Sequence, residues 1–406
     1  MAPFAAATTT TVLAKPGYPS WRPLDRCKPS ATATMSTWRS GRTAAMALGR
    51  RELLEERDEE WRRYLAPERQ EVLAHLEPWA EANMLPLLKP ADSAWQPSDF
   101  LPDAATLGGE GFAAACAEVR ARAELVPDAL LVCLVGNMVT EEALPTYHAM
   151  SNRFEATRDA TGSGGDAWAR WLRGWSAEEN RHGDLLSRYC YLSGRVDMRR
   201  VERTVHALVA NGMPMHAPAS AHHGYVYVAF QERATAVSHG NTARKAGACG
   251  DPLLARICGA VAGDEKRHEA AYTRLVARIF ECDADAAVRA MAYMMRRRIT
   301  MPAALMDDGG PGGSSLFARY AAAASQAGVY TAADYRAILE HLIREWKVEE
   351  LAAGLSGEGR RARDYVCALP DKIRRMEEKA FDRTKKKPSL VPFSWIFDRP
   401  VSLVLP

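Results

Sequence analysis

From about Glu52 onward, long stretches of helical periodicity alternate with short breaks. Leu, Ala, Arg, Glu and Met dominate these stretches, and strand-like alternation is scarce, so the pattern reads as mostly helical. The spacing predicts helices over 110–124, 128–158, 166–192, 197–210, 224–246, 252–280 and 284–298. Before them, "LKPADSAWQPSDFLPD" (88–103) is rich in Pro and Asp and reads as an extended arm or loop. "MDDGGPGGSS" (306–315) is a plain break, after which helices resume over 316–327, 331–351 and 356–382. The apolar tail "PFSWIFDRPVSLVLP" is expected to lie along the body or to form a short hairpin. The economical reading is one all-α bundle over 51–406, with 308–315 as a loop inside it.

The first 50 residues differ in kind. They are rich in Ala, Thr, Ser and Arg, and Asp25 is the only acid before Glu52. With no long apolar centre, they resemble an organelle transit peptide of the chloroplast type, which implies a plastid stroma location. Elsewhere the bulk numbers mainly exclude. With 53 basic and 50 acidic residues the charge is nearly balanced, which does not suggest a nucleic-acid binder. The eight cysteines contain no CxxC pair, so neither a zinc ribbon nor a disulfide framework is expected. The best apolar run, Ala129 to Val135, is far short of the ~20 residues that span a bilayer. No GxGxxG opens a strand–helix unit, so no bound nicotinamide or flavin is expected.

Two charged phrases sit on apolar helical stripes. In "EENRH", Glu179 precedes His182 by three residues; in "DEKRH", Glu265 precedes His268 by three. Positions i and i+3 share a helix face, so each pair can hold one ion from one side. Trp171, Trp175, Leu186 and Tyr189 flank the first pair; Cys258, Val261, Tyr272 and Leu275 flank the second. A carboxylate and an imidazole facing a core need compensation, and a metal supplies it. Two further acids have a similar setting. Glu232 lies among Tyr225, Val228, Ala229 and Ala236. Glu141 or Glu142 continues the stripe of Leu131, Leu134, Val135 and Met138, and spacing does not separate these two. One Glu from each of two helices plus Glu-x-x-His from each of two others is the di-iron pattern of ferritin-like bundles. Oxygen-rich ligation with one His per metal suits two irons and not a structural zinc. An acid also precedes each Glu-x-x-His. We expect a crossed arrangement in which Asp264 holds His182 and Glu178 holds His268, with Arg181 and Arg267 balancing the charge.

At these residues the chain resembles the soluble plant acyl-acyl-carrier-protein desaturases of the stearoyl type. "VTEEALPTYHAM", "WSAEENRHGDLLSRYCYLSGRVDMRR", "FQERATAVSHGNTARKAG", "ICGAVAGDEKRHEAAYTRLV", "MMRRRITMPAALM" and "PFSWIFDR" carry the resemblance, which covers roughly 65–400. It implies a ferritin-like fold and iron ligation by Glu141, Glu179, His182, Glu232, Glu265 and His268, selecting Glu141 from its pair. It implies that Thr235 stands at the oxygen-activating side and that Trp95, with His182 and Asp264, forms an electron route. It implies O2-dependent introduction of a double bond into an acyl chain on acyl carrier protein, with electrons from ferredoxin and a homodimeric assembly. The acyl pocket is expected near Met150, Phe154 and Tyr225. Because the carrier is acidic, a basic patch is expected at the pocket mouth, from Arg274, Arg278, Arg296 and Arg297, or from Lys385–Lys387.

Two places depart from the family. His216, His222 and His223 fall in an unusual stretch before the Glu232 helix, where we expect an exposed loop pair. Arg153 and Phe154 are expected on the helix continuing past Glu141, where a bulky Phe154 would shorten the pocket. Both bear on chain length and bond position, not on reaction class. The competing readings are a ferritin-like iron store without C–H chemistry and a desaturase paralogue with altered specificity.

Overall fold

A computed structural model describes residues 63–213, 219–309, 315–383 and 387–404. The transit-like segment 1–50, His216 and Lys385–Lys386 lie outside the described residues. The first part holds α1 (Pro67–His75) and α2 (Glu77–Asn83), then three short 3-10 turns between Leu85 and Asp99, the last two in the stretch expected to be an arm. Next come α3 (Ala104–Ala123), α4 (Asp128–Glu141), α5 (Leu144–Ser151), α6 (Ala167–Ser193) and α7 (Met198–Asn211). The long pair α8 (Ala221–Cys249) and α9 (Pro252–Cys282) follows, packed along each other, and then α10 (Ala284–Arg297). After the break come α11 (Leu316–Gln326), α12 (Ala332–Glu345), α13 (Gly357–Cys367) and α14 (Leu369–Arg383). The tail is an antiparallel hairpin of β1 (Ser389–Phe393) and β2 (Arg399–Leu403), with Val391 opposite Val401. Among the described residues no single helix is long and apolar enough to cross a membrane.

Local chemistry explains the helix ends. Asp166, Asp251 and Asp283 cap α6, α9 and α10 through their carboxylates. The α6 helix stops at Gly194 and α8 at Gly250, both at positive φ, where glycine avoids the Cβ penalty. Two expected helices are split. The 128–158 stretch breaks after Glu141 and restarts with Pro145 in the first turn of α5. The 356–382 stretch breaks at Ala368, with Pro370 at the start of α14. Proline has no N–H to continue a ladder, so a new first turn is where it fits.

Two expectations need correction. Arg153 and Phe154 are not helical, because α5 ends at Ser151. His222 and His223 are not in an exposed loop. They lie in the first turn of α8, at 3% and 0% exposure, against the Tyr64 ring.

The hairpin is anchored rather than draped. Trp395 is fully buried and its indole N–H donates to Thr204 Oγ1 at 3.0 Å. Arg399 and Arg195 share the carboxylate of Asp128, tying the hairpin to the start of α4.

Candidate metal centre and acyl cavity

Helices α4, α6, α8 and α9 bring the six expected residues together. Glu141 ends α4, Glu179 and His182 lie on α6, Glu232 on α8, and Glu265 and His268 on α9. All six are buried. Glu141, Glu179, His182 and Glu265 form one group and Glu179, Glu232, Glu265 and His268 a second, with the candidate atoms of each group within 4.8 Å of one another. Each repeated phrase thus contributes a histidine private to one group and a glutamate common to both. The sequence pattern assigns each pair its own ion; here each of the two glutamates also lies within reach of the other pair's histidine group. Glu142, the alternative to Glu141, is half-buried and belongs to neither group.

Both rings turn Nδ1 inward. His268 Nδ1 lies 2.8 Å from Glu179 Oε1 and 3.5 Å from Glu232 Oε2. His182 Nδ1 lies 3.2 Å from Glu265 Oε1 and 3.8 Å from Glu141 Oε2. Yet His182 Nδ1, His268 Nδ1, Glu179 Oε1 and Glu265 Oε1 are buried and make no hydrogen bond. The atoms are near but not aligned along N–H directions. Converging lone pairs without shared protons suit a cation between them.

The outward nitrogens meet the crossed acids. His268 Nε2 is 3.0 Å from Glu178 Oε2, a hydrogen bond. His182 Nε2 is 3.5 Å from Asp264 Oδ2, a looser contact. Arg267 spans both acids, at 2.5 Å to Glu178 and 2.6 Å to Asp264, and Arg181 reaches Asp264 at 3.4 Å. The Lys89 backbone N–H donates to Glu178 at 2.7 Å. Burial works against charge on Asp264, but His182 and Arg267 outweigh it and hold the carboxyl well below its ordinary range. The inner acids are less balanced. Burial, with Glu179 and Glu265 alongside, pushes Glu232 well above the usual carboxylate range. Burial and Glu179 raise Glu265 as well. Against the cost of burial, the two histidines hold Glu179 the other way, well below the ordinary range.

Trp95 is half-buried and stacks on His182 at 6.0 Å and 14°, with the Arg181 guanidinium 5.1 Å from its ring. Thr235 Oγ1 donates to Glu265 Oε2 at 2.7 Å. Sequence reasoning missed two groups. Tyr147 Oη donates to Glu179 Oε2 at 3.4 Å, and His239 Nε2 lies 2.9 Å from Glu141 Oε1. His239 follows Glu232 by seven residues, two turns along the same face, which was the available signal.

A cavity of about 430 Å³, part of it open to solvent, ends on this centre. Glu141, Glu179, Glu232, Glu265 and Thr235 form its polar end; Tyr147, Met150, Trp175, Val228 and Pro302 are among its other walls. Phe154 and Tyr225 do not line it. Phe154 is 1% exposed and rests on Gly224, where any Cβ would overlap its ring, and meets Tyr225 edge-on at 5.5 Å. Gly224 lies one turn before the lining residue Val228, so Phe154 stands behind the cavity wall. Pro302 is positioned by the preceding segment, whose Thr300 carbonyl accepts from Tyr227 Oη at 2.8 Å and Gln231 Nε2 at 2.6 Å. Of the four expected carrier-contact arginines, Arg274 and Arg296 are exposed and Arg278 and Arg297 half-buried. Arg278 pairs with Glu281, and Arg296 and Arg297 sit over the Tyr365 and Tyr293 rings. None lines the cavity.

A family model described as fatty acid desaturase matches residues 68–397. The chain is 68% identical to acyl-[acyl-carrier-protein] desaturase 7, chloroplastic, of Oryza sativa, over 99% of this chain and 100% of that one. It is 64% identical to desaturase 6 of the same species, over 86% and 84% of the two chains. It is 54% identical to stearoyl-[acyl-carrier-protein] 9-desaturase 3, chloroplastic, of Arabidopsis thaliana, over 83% of each chain.

Proposed function

The chain belongs to the fatty acid desaturase family, and we propose that it introduces a cis double bond into a saturated acyl chain carried on acyl carrier protein, using two irons, O2 and electrons from ferredoxin. The observation that carries this reading is a cavity with largely apolar walls that ends on four buried carboxylates and two imidazoles. Four carboxylates carry four negative charges, which two divalent cations neutralise. The acids behind them, Glu178 and Asp264, already have Arg267 and Arg181. Glu141, Glu179, His182, Glu232, Glu265 and His268 would hold the metals, with Glu179 and Glu265 shared. The iron pair supplies the redox power to take two hydrogens from an unactivated CH2–CH2 unit while O2 is reduced.

The protein's own part is geometry and exclusion of water. Tyr147, Met150, Trp175 and Val228 offer the chain a surface without competing polar partners. Thr235 places a hydroxyl on the cavity side of Glu265, where it can hold a proton during oxygen reduction. Trp95, stacked on His182, offers a π-path inward from the half-exposed surface. Arg296 and Arg297 end the helix that leads into the segment carrying Pro302, and with Arg274 and Arg278 on the neighbouring helix they would suit an acidic carrier. The relatives are named chloroplastic, and a plastid stroma location suits the partners proposed. A homodimer is part of the same proposal.

The test is incubation of purified, iron-loaded protein with ferredoxin, its reductase, O2 and acyl carriers of several chain lengths, with the double bond mapped in the product. A cis-olefin at one position is expected. Two bound irons with no olefin from any chain would overturn the reading.

A further inference from the structure

Three of the four inner carboxylates are steadied by a side chain outside the six. Tyr147 donates to Glu179 and Thr235 to Glu265, and His239 meets Glu141. Glu232 accepts no such bond among the described residues. The Glu141 contact has the least ordinary form. At Glu178–His268 and Asp264–His182 a carboxylate sits outside and steadies an inner imidazole; here an imidazole sits outside and steadies an inner carboxylate.

The geometry assigns His239 as a positioning residue for Glu141, an inference that rests on the reading above. His239 is 1% exposed and Glu141 3%. The bond is 2.9 Å, from Nε2 to Oε1, while Oε2 is the oxygen turned toward His182 at 3.8 Å. A metal-bound carboxylate can only accept, so the ring donates through Nε2. The other ring nitrogen, Nδ1, is buried and has no hydrogen-bond partner. The hydrogen bond this buried ring makes is directed at the metal site. The adjacent residue reinforces the placement. Ser238 Oγ donates to Asn137 Oδ1 at 3.1 Å, and Tyr320 Oη donates to the same oxygen at 3.0 Å. Asn137 and Glu141 are one turn apart on α4, and Ser238 and His239 are neighbours on α8. Two successive polar links therefore set α8 against α4 where Glu141 leaves its helix. Glu141 is the last residue of α4, and Tyr147 Oη lies 3.2 Å from its backbone carbonyl, so main chain and carboxylate both have a side-chain partner from outside the six.

The test compares wild type with His239→Leu and His239→Gln by anaerobic Fe2+ titration, by the near-UV absorption of the oxidised protein and by the melting temperature of the iron-free protein. A glutamine amide can donate from about where Nε2 stands; leucine cannot. We expect wild type to bind two irons. His239→Leu should weaken one of them by about tenfold or more, the scale seen when groups supporting metal ligands are removed, and should alter the absorption while the iron-free protein melts as wild type does. His239→Gln should restore most of the affinity. Unchanged binding of both irons by His239→Leu would overturn the assignment. So would a leucine variant that does not fold, or a lowered iron-free melting temperature in both variants, which would make the imidazole structural. Failure of wild type itself to bind two irons would instead defeat the two-iron reading, and this inference with it.

Discussion

Replacing Phe154 with leucine should lengthen the acyl cavity. The ring is 1% exposed, lies on the bare backbone of Gly224 and meets Tyr225 edge-on. Its neighbours in the chain and on the facing helix, Ser151 and Val228, line the cavity, so a smaller side chain opens space that the cavity can absorb. The fold loses part of a buried aromatic, roughly 1–2 kcal/mol, less than the 3–5 of a full truncation to alanine. The substrate gains what the fold loses. Each methylene that finds apolar surface is worth about 0.8 kcal/mol. An acyl chain two carbons longer therefore gains about 1.6 kcal/mol, roughly 15-fold in relative kcat/KM. The assay is competition between two acyl carriers differing by two carbons, with the products separated and their ratio compared between wild type and variant. Gly224→Ala supplies the opposite perturbation, since its methyl group must push the Phe154 ring aside and overpacking costs about 1–3 kcal/mol. An unchanged product ratio in Phe154→Leu, with iron content intact, would refute Phe154 as the limit of the pocket.

Other outcomes follow from the same geometry. Glu141→Gln should lose iron while Glu142→Gln keeps it, measured as iron per chain after desalting. Glu178→Gln should weaken iron binding about 10–100-fold, and more than Asp264→Asn does, because its bond to His268 is the shorter of the two; equal binding constants would contradict this. Burial, aided by His223 and Arg69, pushes His222 down to about 3 from its ordinary 6.5. The unfolded chain then binds the extra proton between those values, so stability is complete above about pH 6.5 and falls as pH drops toward 3. At pH 5 the loss is about 2 kcal/mol, and His222→Phe should remove it, read as a smaller drop in the urea midpoint of the iron-free protein between pH 7.5 and 5. Trp395→Ala should cost about 3–5 kcal/mol and lower the melting temperature, because the fully buried indole also leaves Thr204 without its donor.

The helices and five of the six inner residues were legible because periodicity carries them. Glu179 and His182, like Glu265 and His268, combine an i,i+3 spacing with apolar flanks, and only one helical face satisfies both. Glu141 and Glu142 were not separable by that logic, since adjacent positions differ by less than the width of the buried stripe. The end of α5 at Ser151 took Phe154 off the helix, and only the fold shows the ring resting on Gly224 across a distance of 70 residues in the chain. His222 and His223 read as exposed because two adjacent histidines look polar; Tyr64 and its surroundings, far away in the chain, bury them. His239 lay on the Glu232 face all along, but a lone histidine on a helix says nothing until its partner, on another helix, is in place.

The most direct test of the central claim is a crystal of the iron-loaded protein measured for anomalous scattering at the iron edge. Two peaks per chain are expected, one beside Glu141 and His182, the other beside Glu232 and His268, with Glu179 and Glu265 between them. A single peak, or peaks outside the six residues, would contradict it.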